Sequence, residues 1–197
     1  MGREIRHRDP EPPGFLMRFH ELSVGGAWRI DTDVHDDERG SFCRLWCSVE
    51  FGKHGLPDSM SQANLSTNRC RGTLRGMHYR AATDGEYKLV RCIRGAVHDV
   101  VLDLRPESPT YLRWDAVRLS AENRQAVCIP PGCAHGFLTL DDDSDLLYMM
   151  SVAYRPNAES GVRWDDRAFG IEWPDQPAMI ASRDGSYADY VAHGSRP

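Results

Sequence analysis

Lysine is nearly missing from this chain of 197 residues, where only Lys53 and Lys88 stand against 22 arginines. The net charge of -5 lacks the basic surplus of a duplex-binding protein, which excludes nucleic acid as the expected main partner. No run of ~18 apolar residues occurs, so no membrane-spanning helix is expected. Residues 1–14 carry charges and prolines but no apolar core, so no secretory signal is expected there. The six cysteines, at 43, 47, 70, 92, 128 and 133, never form a C-x-x-C pair. That lacks zinc-site spacing and predicts reduced thiols in a cytoplasmic protein. The i, i+3, i+4 apolar period of a long amphipathic helix is missing before residue 175, and there are no internal repeats or low-complexity blocks.

What is present is a series of short extended segments. Strands are predicted near Trp28–Asp31, Ser41–Val49, Gln62–Ser66, Thr73–Tyr79, Lys88–Arg94, Val97–Leu104, Trp114–Leu119, Ala126–Ile129, His135–Leu140 and Leu146–Tyr154. Turn signals such as Arg94-Gly95, Pro130-Pro131-Gly132 and Asp141–Asp145 separate them. Many short strands with breaks every ~8–12 residues predict an all-β sandwich or barrel. Residues 1–20, with Pro10, Pro12, Pro13 and Gly14, are expected to form a flexible arm, and residues 21–197 a single domain. One short C-terminal helix is expected near Tyr187–Val191. The acidic cluster Asp141–Asp145 reads as a solvated hairpin turn.

Two segments carry chemistry. Leu74-Arg75-Gly76-Met77-His78-Tyr79-Arg80 ends a strand, and Ile129-Pro130-Pro131-Gly132-Cys133-Ala134-His135-Gly136-Phe137 joins two strands. The Gly-x-His followed by Pro-x-Gly-x-x-His resembles the paired motifs of the cupin superfamily, jelly-roll barrels that enclose a pocket. Strand parity puts Arg75 and Met77 on one face and Leu74, Gly76 and His78 on the other, unless Gly76 marks a bulge. A metal cupin supplies His-x-His and a glutamate from the first motif and a His from the second. Here Arg80 occupies the second histidine position and Glu86 is offset, and two imidazoles alone make a poor divalent site.

Further segments follow in order: Asp37-Glu38-Arg39-Gly40, Gln62-Ala63-Asn64-Leu65-Ser66, Lys88-Leu89-Val90-Arg91-Cys92, Val97-His98-Asp99-Val100, Asp103-Leu104-Arg105, Leu147-Tyr148, Tyr154, Trp164-Asp165-Asp166, Ile171-Glu172-Trp173-Pro174 and Ser182-Arg183-Asp184. Together with the two histidine motifs, this series resembles the dTDP-4-dehydrorhamnose 3,5-epimerase family of metal-independent cupins, over roughly residues 28 to 185. The resemblance implies a jelly-roll fold and epimerisation at C3 and/or C5 of a nucleotide-linked 4-keto-6-deoxyhexose. The C4 ketone acidifies the neighbouring C–H bonds, so a base, an acid on the opposite face and a cation at the ketone oxygen suffice. No redox cofactor and no metal is implied.

By the same resemblance His78 is the base, a role suited to an imidazole at neutral pH. Asp184 orients it, Tyr148 is the opposed acid, and Lys88 is the cation at the enolate oxygen. His135 and Asp99 form a second pair that shapes the pocket or moves protons. Arg39 and Arg75 contact diphosphate or sugar, Gln62 and Asn64 face the nucleotide or sugar, and Tyr154 packs on base or pyranose. A homodimer is implied, with Arg39 completing the neighbour's site. The chain departs from the family pattern at His35, where an aromatic residue commonly stacks on thymine, at Arg44, which replaces an acid, and at Arg80, which replaces glutamine. These departures leave the nucleotide open. A single-centre epimerase, a ketoisomerase, a metal-dependent cupin enzyme and a non-catalytic sugar-binding cupin are the other readings.

Overall fold

Alternation along the strands decides which side chains face inward. The computed structural model describes residues 16–156 and 158–192. In chain order the elements are β1 (Met17–Glu21), β2 (Trp28–Thr32), β3 (Val34–Asp37), β4 (Gly40–Cys43), α1 (Ser48–Lys53), β5 (Gln62–Asn68), β6 (Thr73–Tyr79), β7 (Lys88–Arg94), β8 (Ala96–Asp103), β9 (Trp114–Ser120), β10 (Ala126–Ile129), β11 (Cys133–Thr139), β12 (Ser144–Met150), β13 (Ser160–Gly161), β14 (Met179–Ile180) and α2 (Ser182–Gly185). One sheet runs β1-β2-β10-β7-β12-β5, and the other runs β13-β6-β11-β8-β9 with β14 added to β6. Every neighbouring pair is antiparallel except β14 with β6. The two sheets form the cupin-type sandwich that the motifs predict. Among the described residues no helix is long and apolar enough to cross a membrane.

Val90, Cys92, Val127, Ile129 and Leu146 of the first sheet meet Val97, Val101, Leu119 and Phe137 of the second in the central core. Each sheet's outer face is covered as well. Phe51 of α1 and Leu56 pack on Ile30, Leu89, Ala126 and Cys128. The tail beyond β13 lays Trp164, Phe169, Ile171, Trp173 and Tyr190 over Met77, Val100, Leu102 and Ala134. Burial on both faces is why these strands read as near-continuous apolar runs.

The structure departs from the predicted elements at several places. The strand predicted over Ser41–Val49 stops at Cys43, and Ser48–Lys53 is helical. Phe51 is fully buried there, and the Glu50 carboxylate accepts the Met17 backbone N–H at 2.8 Å and Arg44 Nη1 at 2.6 Å, so tertiary contacts override strand propensity. That anchor also orders β1, whose stretch was expected in a flexible arm; the arm expected over residues 1–15 lies outside the described residues. The last long strand ends at Met150 rather than Tyr154. Tyr187–Val191 is not helical, and the short helix lies at Ser182–Gly185 instead. The Tyr187 ring lies so close on Gly161 that a Cβ there would sit 2.2 Å from it, and the Tyr190 N–H donates to Asp166 at 2.6 Å. The tail is held by ring packing on β13 and by polar contacts within itself rather than by helical turns.

Candidate active site

A cavity of about 240 Å³ opens between the sheets, walled by Asn64, Arg75, His78, Lys88, His135 and Tyr148 among others. The first sheet contributes through its inward parity. On the first sheet Met150 lies opposite Gln62 and Lys88, and Tyr148 lies opposite Asn64 and Val90.

On the second sheet simple parity fails. Arg75 and His78 both reach the cavity, whereas Met77 joins the outer core. The β6–β11 register slips between the pair His135–His78 and the pair Phe137–Arg75. Two facing glycines permit the slip. Gly76 has φ +129°, and a Cβ on it would stand 2.5 Å from the Gly136 Cα; a Cβ on Gly136 would stand 2.7 Å from the Met77 sulfur.

His78 Nε2 lies 2.8 Å from Asp184 Oδ1, and Asp184 Oδ2 accepts the Gly76 backbone N–H at 3.1 Å. The carboxylate comes from more than 100 positions away because β14 pairs with the start of β6 and leads directly into α2. Asp184 is buried, and the His78 side chain is 25% exposed. An ionised carboxylate accepts only, so Nε2 carries the proton and Nδ1 the lone pair. Nδ1 has no hydrogen-bond partner among the described residues.

Tyr148 stands on the facing sheet. Burial above all, then the Asp99 carboxylate, push its phenol well above the usual range, against a smaller opposing pull from the Arg75 guanidinium. It is a neutral O–H donor throughout the physiological range. The His135 ring meets it edge-on at 6.0 Å, and His135 Nε2 lies 2.7 Å from Asp99 Oδ2. This second pair is more deeply buried than the first, and Asp99 Oδ1 has no partner among the described residues.

Two cations complete the wall. Lys88 is buried, and its ammonium lies 3.6 Å from Glu86 Oε1, an ion-pair distance too long for a hydrogen bond. Arg75 Nε donates to Asn68 Oδ1 at 2.7 Å, and its terminal nitrogens have no partner among the described residues.

The structure does not bring every sequence-predicted residue to this wall. Arg39 sits at the tip of the β3–β4 hairpin, paired with Asp37 at 2.5 Å, with its side chain 89% exposed. Gln62 donates to the Met150 sulfur at 3.1 Å and accepts the Tyr154 N–H at 2.8 Å, so it anchors the segment leaving β12. Tyr154 itself is exposed and lines no part of the cavity. Of the departures from the family pattern, Arg44 is committed to Glu50, and His35 lies on the exposed hairpin opposite Phe42. Met150, Ser66, Phe137 and Glu159 line the cavity without having been singled out. The two-residue period from Tyr148, Asn64 and His135 could have found the first three. Glu159 lies in an irregular segment, paired with Arg183 at 2.7 Å, and carries no local signal. Among the described residues no three His, Cys, Asp or Glu side chains converge as a metal-ligand set.

The geometry can be set beside known proteins. A family model described as dTDP-4-dehydrorhamnose 3,5-epimerase matches residues 21–191. The chain is 42% identical over 177 residues to the dTDP-4-dehydrorhamnose 3,5-epimerase of Mycolicibacterium smegmatis, covering 89% of this chain and 87% of that one. It superposes with a TM-score of 0.84 on NovW, a 4-keto-6-deoxy sugar epimerase of Streptomyces spheroides, at 38% identity over 90% of this chain and 89% of the other. It also matches ChmJ, a 3'-monoepimerase of Streptomyces bikiniensis crystallised with dTDP-quinovose. There the TM-score is 0.81 at 37% identity, covering 86% of each chain.

Proposed function

This chain belongs to the dTDP-4-dehydrorhamnose 3,5-epimerase family, and from that premise we propose that it inverts C3, C5 or both of a dTDP-linked 4-keto-6-deoxyhexose. It is an isomerase of the sugar-epimerase type. One observation carries the mechanism: an Asp-held histidine and a neutral tyrosine face one cavity from opposite sheets. His78 Nδ1 takes the proton from the carbon beside the ketone, and the C–H electron pair becomes the enolate. Asp184 stabilises the imidazolium that forms. The Lys88 ammonium lies where it can balance the charge growing on the enolate oxygen, in a site that water screens poorly. The Tyr148 phenol returns a proton to the opposite face, and solvent or His78 then reprotonates the phenolate. The terminal nitrogens of Arg75 take the diphosphate, a match for a guanidinium fork. His135 and Asp99 fix the Tyr148 side of the cavity, and Asn64 contacts the sugar.

The deciding experiment is proton NMR of dTDP-4-keto-6-deoxyglucose with the purified chain in D2O. Deuterium at C3 and C5 identifies the double epimerase. Deuterium at C3 alone identifies a monoepimerase, a second reading favoured by the near-equal likeness to ChmJ. No exchange with this or the GDP-, CDP- and UDP-linked sugars overturns the reading.

Residues 21–197 act as one unit in this reading. The six free cysteines support a reducing, cytoplasmic setting. The exposed β3–β4 hairpin, with Phe42 64% exposed, supports a homodimer in which Arg39 enters the neighbour's cavity. A monomer by sedimentation at working concentration overturns that arrangement.

A further inference from the structure

The loop between β6 and β7 carries a chain of charges, buried at Arg80 and Glu86 and exposed where Asp84 meets Arg155. Arg80 Nη1 donates to Glu86 Oε2 at 2.7 Å, and its Nε donates to Asp84 Oδ2 at 3.3 Å. Asp84 in turn pairs with Arg155 at 2.8 Å on the exposed side. The other Glu86 oxygen lies 3.6 Å from Lys88 Nζ. Arg80 and Glu86 are each more than nine-tenths buried, and Lys88 is about as deep. Glu86 and Lys88 are two apart in extended chain, so their side chains leave on the same side. Three cations and two carboxylates leave one positive charge over.

That surplus settles on Lys88 because of how Glu86 is shared. Its short hydrogen bond is with Arg80, and Lys88 keeps only the longer pairing. Lys88 donates no hydrogen bond to protein among the described residues. Its ammonium is held in place yet keeps its N–H groups for a ligand oxygen. A carboxylate in so buried a place seeks the nearest cation. Without Arg80, Glu86 could close the remaining gap and seize Lys88 in a short charge-assisted pair.

We infer that Arg80 is a positioning residue that holds Glu86 away from Lys88, so that the Lys88 ammonium reaches the cavity un-neutralised. Arg80 touches no reacting atom. The inference rests on the reading of Lys88 as the cation at the enolate oxygen. It also gives a use to the Arg80 departure from glutamine, which the metal question left without one.

The test compares R80Q with R80Q/E86Q. Removing a whole oxyanion stabiliser costs ~10²–10³-fold in kcat, so partial neutralisation by Glu86 is expected to cost about tenfold in R80Q, with KM within about twofold. The double variant has no carboxylate to capture Lys88 and is expected to return to within about threefold of the wild-type kcat. A merely structural Arg80 predicts the reverse, since the second substitution then adds damage. An unchanged kcat in R80Q, or a double variant no faster than R80Q, overturns the inference. Should R80Q fail to fold, the double variant decides by itself, since it lacks both charges: kcat within about threefold of wild type upholds the inference and a tenfold loss overturns it. A second readout is independent of turnover. The chain has two lysines, so 15N-lysine labelling yields two side-chain ammonium signals, and K53R identifies which belongs to Lys88. The Lys88 signal is expected to move in R80Q and to return in R80Q/E86Q. A wild-type chain that moves no substrate proton overturns the epimerase reading alone, and the ammonium signal then decides the positioning.

Discussion

Asp184→Asn is the sharpest test of the His78 base, because it changes charge and hydrogen-bond polarity without changing shape. Asp184 accepts two hydrogen bonds, from the Gly76 N–H at 3.1 Å and from His78 Nε2 at 2.8 Å. An asparagine offers one oxygen and one NH2. If its oxygen stays on Gly76, the NH2 donates to Nε2, the imidazole proton moves to Nδ1, and the lone pair facing the cavity is lost. If the amide flips, its NH2 opposes the buried Gly76 N–H, donor against donor, at a cost of about 1–3 kcal/mol. That cost disfavours the flipped form, so the wrong tautomer dominates, and in both forms the imidazolium loses its counter-charge. The same change in a hydrolase triad lowers kcat about 10⁴-fold. We expect a loss of about 10³–10⁴-fold here, equal to about 4–5.5 kcal/mol of barrier. The assay is the rate of deuterium entry at C3 and C5 in D2O, with a thermal melt and a circular dichroism spectrum as fold controls. A folded Asp184→Asn chain retaining more than a tenth of the wild-type rate would refute the orienting role of Asp184 and the Nδ1 base with it.

The same assay separates acid from base, since Tyr148→Phe leaves His78 and Asp184 intact. It should lower epimerised product by about 10²-fold or more while substrate that keeps its configuration still gains deuterium, and loss of both in parallel would contradict the division of labour. Tyr148 ionises well above its usual range, so no loss of activity from this phenol is expected up to about pH 10, and an alkaline limb that vanishes in Tyr148→Phe would contradict it. Burial resists Asp103 ionisation, but hydrogen bonds from Arg105, Ser108 and Thr110 outweigh it and hold the carboxyl down to about 2. A depressed carboxyl stabilises the fold above its unfolded value of 3.8 and loses that contribution as pH falls toward about 2. Asp103→Asn should therefore cost about 1–2 kcal/mol in urea melts at pH 7 and less at pH 2.5, and an equal cost at both would count against the linkage. Burial pushes the thiols of Cys92 to about 11 and of Cys128 and Cys133 to about 12. Iodoacetamide on the folded chain at pH 8 should modify only Cys43, Cys47 and Cys70 by mass spectrometry, with Cys70 fastest because it is exposed.

The sandwich was legible because both faces of its sheets are buried, which leaves short apolar runs between turn residues. What escaped were elements stabilised from a distance. Nothing local in Ser48–Lys53 announces a helix, since its anchors are Phe51 in the outer core and the Glu50 contacts to Met17 and Arg44. The β1 strand reads as part of an arm because the Glu50 carboxylate that accepts its Met17 N–H lies 33 positions on, although its partner β2 is the next element in the chain.

In the site, resemblance singled out His78, Tyr148, Lys88 and Asp184, of which three line the cavity and the fourth pairs with His78, but strand parity alone would have sent Arg75 to the wrong side of β6. The error traces to a contact between residues sixty positions apart: Gly76 and Gly136 approach so closely that neither tolerates a Cβ, and the register slips there. This slip is what allows one strand to present a cation and a base to one cavity. A regular β6 with Arg75 inside would bury Met77 in the cavity and turn His78 outward, away from Tyr148. The proposed base and acid also lie on different sheets, while the carboxylate that orients the base arrives on a tail pinned to β6 by β14. Their opposition across the cavity therefore follows from sandwich geometry, in which inward residues of facing sheets meet across the core. The proposed ketone cation needs a separate device, because Lys88 lies on the same sheet as Tyr148, beside a buried carboxylate that would neutralise it. The Arg80–Glu86 hydrogen bond supplies that device with residues that never enter the cavity, and the strand pattern could not reveal it because both lie in the loop between β6 and β7.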